Sequence, residues 1–109
     1  MTISIRDVGV AKVVDVNGDV DLGTSGELRR TLFAALPETS LLALNLHAIR
    51  YIDSSGIATL IEVFKGSQRL NKEFVLFGLS SAVEEVFRLT HVIRIFRIVQ
   101  TEREAVGTH

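Results

Sequence analysis

A chain of 109 residues, 47% of them apolar, is long enough for one folded core and too apolar to remain disordered. Without cysteine it has neither disulfides nor thiolate chemistry. A formal net charge of −1, with both signs scattered and no basic stripe, argues against nucleic acid as the partner.

Thr2 to Arg6 alternate polar and apolar residues, the period of an edge strand, with Ile3 and Ile5 on one face. Asp7-Val8-Gly9 reads as a hairpin turn, Val10 to Val16 as a second, β-branched strand, and Asn17-Gly18 as the turn that ends it. Thr24-Ser25-Gly26-Glu27 has the spacing of a capping box. The helix it opens places Leu28, Leu32, Ala35 and Leu36 on one face and closes at Pro37. Leu41 to Leu46 is nearly all apolar, as in a central strand covered on both faces. Its one polar residue, Asn45, must find partners; tying down a neighbouring loop is the expected role.

Asp53-Ser54-Ser55-Gly56 opens a second helix, expected from about Ser54 to Leu70, with Ile57, Leu60, Ile61 and Phe64 facing inward. Thr59, Glu62, Val63 and Gly66 are expected on its exposed face, the natural interface for a partner. Glu73 to Phe77 is a buried strand, Ser80-Ser81 starts a third helix, and Ile95 to Val99 is a last strand. Thr101 to His109 reads as a polar tail. The order β-β-α-β-α-β-α-β implies a single α/β domain over residues 1–109, with a small mixed sheet: an antiparallel opening hairpin and right-handed parallel crossovers after it. The N-terminus lacks the pattern of a signal peptide, and no apolar run approaches the ~20 residues that span a bilayer. A cytoplasmic protein without direct membrane insertion is expected.

The chemistry concentrates at Asp53-Ser54-Ser55-Gly56. A helix start presents free N–H groups and the positive end of the helix dipole, and so accommodates a negative group on a serine hydroxyl. One cap explains one of these residues; three polar groups crowd where one suffices. Gly56 is a poor helix former in the first turn, where a small residue admits close approach by a partner's backbone or a nucleotide phosphate. In an α/β sheet the loops at one end converge, so the loop carrying Asp19 and Asp21 can meet the one carrying Ser54. His47, His91 and His109 have no ligand-like spacing. No Gly-x-Ser-x-Gly elbow surrounds Ser54 and no base is evident beside it, against a catalytic serine.

With these residues in hand, the chain resembles a stand-alone STAS domain of the bacterial anti-sigma factor antagonist type. The resemblance rests on Gly18-Asp19-Val20-Asp21, Leu44-Asn45-Leu46, Tyr51-Ile52-Asp53-Ser54-Ser55-Gly56, and Leu79-Ser80-Ser81-Ala82-Val83 with Phe87. It implies a protein-binding switch without enzymatic activity or cofactor. The unphosphorylated form sequesters an anti-sigma factor, a GHKL-type serine kinase, and so frees a sigma factor. Phosphorylation on Ser54 ends the complex, and a PPM-type serine phosphatase resets it. Asp21 and Asn45 match positions near the acceptor that are linked to recognition or phosphorylation; Asp53, Ser55 and Gly56 complete the environment. Many antagonists read Gly-Leu-Gly where this chain has Gly56-Ile57-Ala58. The alternative within the same resemblance is a constitutive STAS subunit of a lipid-transporting ABC system or of a stress-signalling complex.

Overall fold

The computed structural model describes residues 1–107. Five strands and four helices follow one another as β1 (Thr2–Val8), β2 (Ala11–Val20), α1 (Ser25–Ala35), β3 (Leu41–Ile52), α2 (Ser54–Arg69), β4 (Glu73–Phe77), α3 (Ser81–Leu89), β5 (Arg97–Val99) and α4 (Glu102–Val106). The strands lie in one sheet in the order β1-β2-β3-β4-β5, β1 antiparallel to β2 and every later pair parallel. This is the mixed α/β sheet expected from the alternation of elements.

The two faces are covered unequally. On one, α1, α2 and α3 bury a large cluster that includes Val14, Leu28, Leu44, Leu60, Leu76 and Phe87. On the other, Ala11, Val13, Leu41, Ala43, Val75 and Phe77 form a smaller cluster closed by Ala105 of α4. The first half of β3, residues 41–46, is apolar on both faces because both are covered there, as its composition required.

Several expectations are corrected. Residues 101–106 are not a polar tail: they cap and form α4, with Thr101 accepting from the Glu104 N–H and Ala105 fully buried. His109 lies outside the described residues. Asn17-Gly18 is not a turn; β2 runs through it to Val20, with register shifts against β3 between Asp15 and Asn17 and between Gly18 and Asp19. Gly18, at φ 107°, supplies the backbone that such a bulge needs, so the signal read as a turn marks a kink inside a strand. The hairpin turn falls at Gly9-Val10 rather than Asp7-Val8-Gly9, β3 extends six residues past Leu46 to Ile52, and β5 is shorter than the apolar run suggested. The Thr24–Glu27 capping box does not form, because the Thr24 hydroxyl is engaged in the preceding loop.

On α2, Thr59, Val63 and Gly66 are buried, and of the four positions assigned to the outer face only Glu62 is exposed. The helix packs on the sheet and against α1 at once. A hypothetical Cβ on Gly66 would stand 2.8 Å from the Phe33 ring of α1. Two neighbours bury a wider arc than one, and the exposed stripe narrows to Ser54, Ala58, Glu62, Lys65, Gln68 and Arg69.

Candidate functional site

The loops after β2 and β3 meet where the two parallel strands end. The last register pair is Val20 with Ile52, and the Asp53 N–H continues the ladder by donating to the Val20 carbonyl at 3.1 Å. Asp53 caps α2. Its Oδ1 accepts from the Ser55 N–H (2.9 Å), the Gly56 N–H (3.2 Å) and the Ser55 hydroxyl (2.5 Å). The Ser55 hydroxyl, above all, holds the Asp53 carboxyl below the usual carboxylate range, helped by the amides of Gly56, Ser55 and Leu22. The Leu22 amide belongs to the β2–α1 loop, which therefore lies close to the Asp53 carboxylate.

That second loop is pinned from within. Asp21 Oδ1 accepts from the N–H groups of Gly23 (3.0 Å) and Thr24 (3.2 Å), and the Thr24 hydroxyl accepts from the Asp21 N–H at 2.9 Å. The same hydroxyl lies 2.9 Å from the Asp19 carbonyl and 3.2 Å from Asp21 Oδ1, so its one proton has its nearer acceptor in the backbone. The Asp21 carbonyl accepts from the Ser25 N–H at 2.8 Å. This leaves Leu22 held outward, 83% exposed. Thr24 and Leu22 are the residues of this rim that sequence reasoning passed over. The Asp-x-x-Thr spacing of a side-chain-closed turn is the signal for Thr24.

The two serines differ. Ser55 is half-buried with its hydroxyl donated to Asp53; Ser54 is exposed, and among the described residues its hydroxyl makes no hydrogen bond. Gly56 is buried, and a Cβ there would stand 2.7 Å from Ile52 Cγ1 and 2.8 Å from Val20 Cγ1. The close approach that this glycine permits is made from inside the chain, where a visiting phosphate or backbone was expected. Asn45 is not brought into the rim. It sits seven positions up β3 from Ile52, donating from Nδ2 to Asp15 Oδ1 (2.9 Å) and accepting from the His47 N–H (3.0 Å). It ties two strands rather than a loop. Arg6 shares Asp15 and reaches Glu102 of α4, both at 2.6 Å. Its guanidinium, and then the Asn45 amide, keep the Asp15 carboxyl low. Among the described residues no group of three His, Cys, Asp or Glu side chains is arranged to hold a metal ion, and no helix is long and apolar enough to cross a membrane.

A five-stranded mixed sheet whose loops present, at a capped helix start, one serine hydroxyl without a hydrogen bond among the described residues defines a small single-domain α/β protein. A family model described as the STAS domain matches residues 2–105, and the chain belongs to that family. Over 95 residues it is 30% identical to an anti-sigma-B factor antagonist of Listeria monocytogenes, covering 86% of this chain and 83% of that one. An anti-sigma factor antagonist from Mycobacterium paratuberculosis superposes with a TM-score of 0.87 at 22% identity, over 96% of this chain and 90% of that one. The Bacillus cell fate determinant SpoIIAA in its phosphorylated form superposes with a TM-score of 0.74 at 17% identity, over 96% of each chain.

Proposed function

We propose that this chain is an anti-sigma factor antagonist governed by phosphorylation of Ser54. Without phosphate it binds an anti-sigma factor that is itself a GHKL-type serine kinase, and so frees a sigma factor. The kinase transfers phosphate to Ser54 and the complex dissociates; a PPM-type phosphatase restores the binding form. The chain is the substrate of these reactions and catalyses none, and it works in the cytoplasm. The observation that carries the reading is the contrast between the adjacent hydroxyls: Ser55 is bound to Asp53, whereas Ser54 is exposed and free to enter a kinase site. The family of its relatives supports the choice of partner.

The proposed switch acts without unfolding the module. A phosphate on Ser54 adds about −1.5 to −2 charges at neutral pH. It sits at the positive end of a 16-residue helix, where an anion gains roughly 0.3–1 kcal/mol, so the domain itself tolerates it. The partner does not. The same rim carries the outward Leu22, and a hydrated dianion beside it prevents the close, dry contact that an apolar side chain rewards. Asp53 is already committed to the cap of α2.

Phosphosite mapping on protein from its native host, with and without phosphatase, tests the assignment: a phosphatase-sensitive phosphate on Ser54 is expected. Ser54→Asp folds as the parent does and loses affinity for the kinase in calorimetry. An unmodified Ser54 across growth and stress conditions, with co-purification of a transporter ATPase in place of a GHKL protein, overturns it.

A further inference from the structure

β1 ends the sheet on one side, and its free edge is seven residues long without a proline. Such an edge exposes a row of N–H and C=O groups that pair with any strand of the right pattern. Beside it, between β1 and α1, lies a groove of about 390 Å³ lined by Ile5, Thr31, Ala34 and Ala35, with Lys12 and Glu38 at its rim. Ile5 points to the helix side, opposite the buried Val14, yet stays 46% exposed because no strand lies beyond it. An edge and a groove on the same side are what a sixth strand would fill, its backbone pairing with β1 and an apolar side chain entering next to Ile5.

We propose that this sixth strand is β1 of a second copy, so that two chains join edge to edge, antiparallel, in one continuous sheet. The sequence of β1 is complementary to itself in one register. With Ser4 on the two-fold axis, Ile3 stands opposite the partner's Ile5 on the helix side, and each groove receives an isoleucine. On the other side Arg6 stands opposite the partner's Thr2, which leaves it bound to Asp15 and Glu102 of its own chain. The neighbouring registers that keep the faces matched are worse. A shift that puts Ile3 opposite the partner's Ile3 pairs only Thr2, Ile3 and Ser4 within β1. A shift the other way, with Ile5 opposite the partner's Ile5, sets Ile3 against the partner's Asp7. The next sets Arg6 against the partner's Arg6. No residue of the Ser54 rim takes part, so this pairing stands apart from the switch. A contact of five paired residues is small, and the association is accordingly weak and concentration-dependent.

The test uses the chain alone. In sedimentation equilibrium the wild-type mass rises from 12.0 kDa toward twice that value as concentration increases roughly a hundredfold, while Ile5→Lys stays at one chain. The chain has no cysteine, so a single introduced thiol reports the register. Ser4→Cys meets its own copy across the axis and forms a disulfide dimer under mild oxidation. Thr2→Cys, roughly 13 Å from its copy in this register, does not. A wild-type mass that stays at one chain throughout overturns the proposal, as does equal cross-linking of the two cysteine variants. Loss of native circular dichroism in Ile5→Lys would remove only that variant; the cysteine pair decides without it.

Discussion

Gly56 is the position where the geometry makes the sharpest demand. In the first turn of a helix, alanine in place of glycine ordinarily stabilises by about 0.5–1 kcal/mol, because glycine loses more backbone freedom on folding. Here the added methyl would stand 2.7 Å from Ile52 Cγ1, 2.8 Å from Val20 Cγ1 and 3.2 Å from Ile52 Cδ1, where ordinary contact begins at 3.4 Å. Neither neighbour can swing aside. Val20 is fully buried and branched at Cβ, and Ile52 is 3% exposed and struck in the middle of its side chain. Relief must come from moving the start of α2 off the strand ends, an overpacking cost of about 1–3 kcal/mol. The helix gain offsets part of this, and Gly56→Ala is expected to be destabilised by about 1–2 kcal/mol. For a chain of this size that is a fall in Tm of roughly 4–8 °C. Urea unfolding followed by circular dichroism measures it. Gly66→Ala is the internal control: its methyl meets only the rim of the half-buried Phe33 ring, which can turn, so the change should stay within about 0.5 kcal/mol of wild type. A Gly56→Ala variant as stable as wild type, or more so, refutes the packing argument.

Removing the charge at the cap makes a prediction in pH. The Asp53 carboxyl titrates below the ordinary carboxylate range in the folded chain, so its ionised form stabilises the fold fully above the unfolded value and the contribution is lost as pH falls through the lowered folded pKa. Asp53→Asn keeps a capping side chain without the charge; its urea midpoint should lie below wild type at neutral pH, and the gap should close as pH falls through the lowered folded pKa; a gap independent of pH contradicts the assignment. Arg6→Ala removes the ion pair to Glu102 that ties α4 to β1, and with it the β1–β2 pair to Asp15. These are part-exposed, so the global cost stays under about 1 kcal/mol, but the Ala105 amide should exchange with solvent markedly faster. Unchanged protection at Ala105 would mean that burial of Ala105 alone holds the helix.

Most of the frame was legible because it is written in periodicity. The β-branched run of β2, the apolar β3 and β4, and the i, i+4, i+7 faces of α1 each have one good reading, and the cap at Asp53 follows from residue type and position. What escaped has a common cause: one residue type serving two geometries. Asn-Gly marks a hairpin or a bulge, and only the pairing of Asp19 with Tyr51 decides for the bulge. Thr-x-x-Glu marks a capping box, but the Thr24 hydroxyl had a nearer acceptor in the Asp19 carbonyl. Val63 and Gly66 were assigned to solvent on the assumption that α2 has one buried side; α1 supplies a second. At the site, sequence grouped Asn45 with the serines, whereas the fold places it with Asp15. It also left open which hydroxyl is free, a question settled by the Ser55–Asp53 hydrogen bond. α4, at five residues, is too short for any period to announce it.

The hydrogen bond from the Asp53 N–H to the Val20 carbonyl spans two elements that are adjacent only after the chain has crossed over the sheet through α1 and returned along β3. Parallel pairing of this kind forms late in folding, because it closes a long loop before any contact rewards it. A nascent or damaged chain therefore has Asp53-Ser54-Ser55-Gly56 in sequence but not the rim that displays them. If the proposed partner reads the rim, it also reads the fold, and an immature copy does not signal.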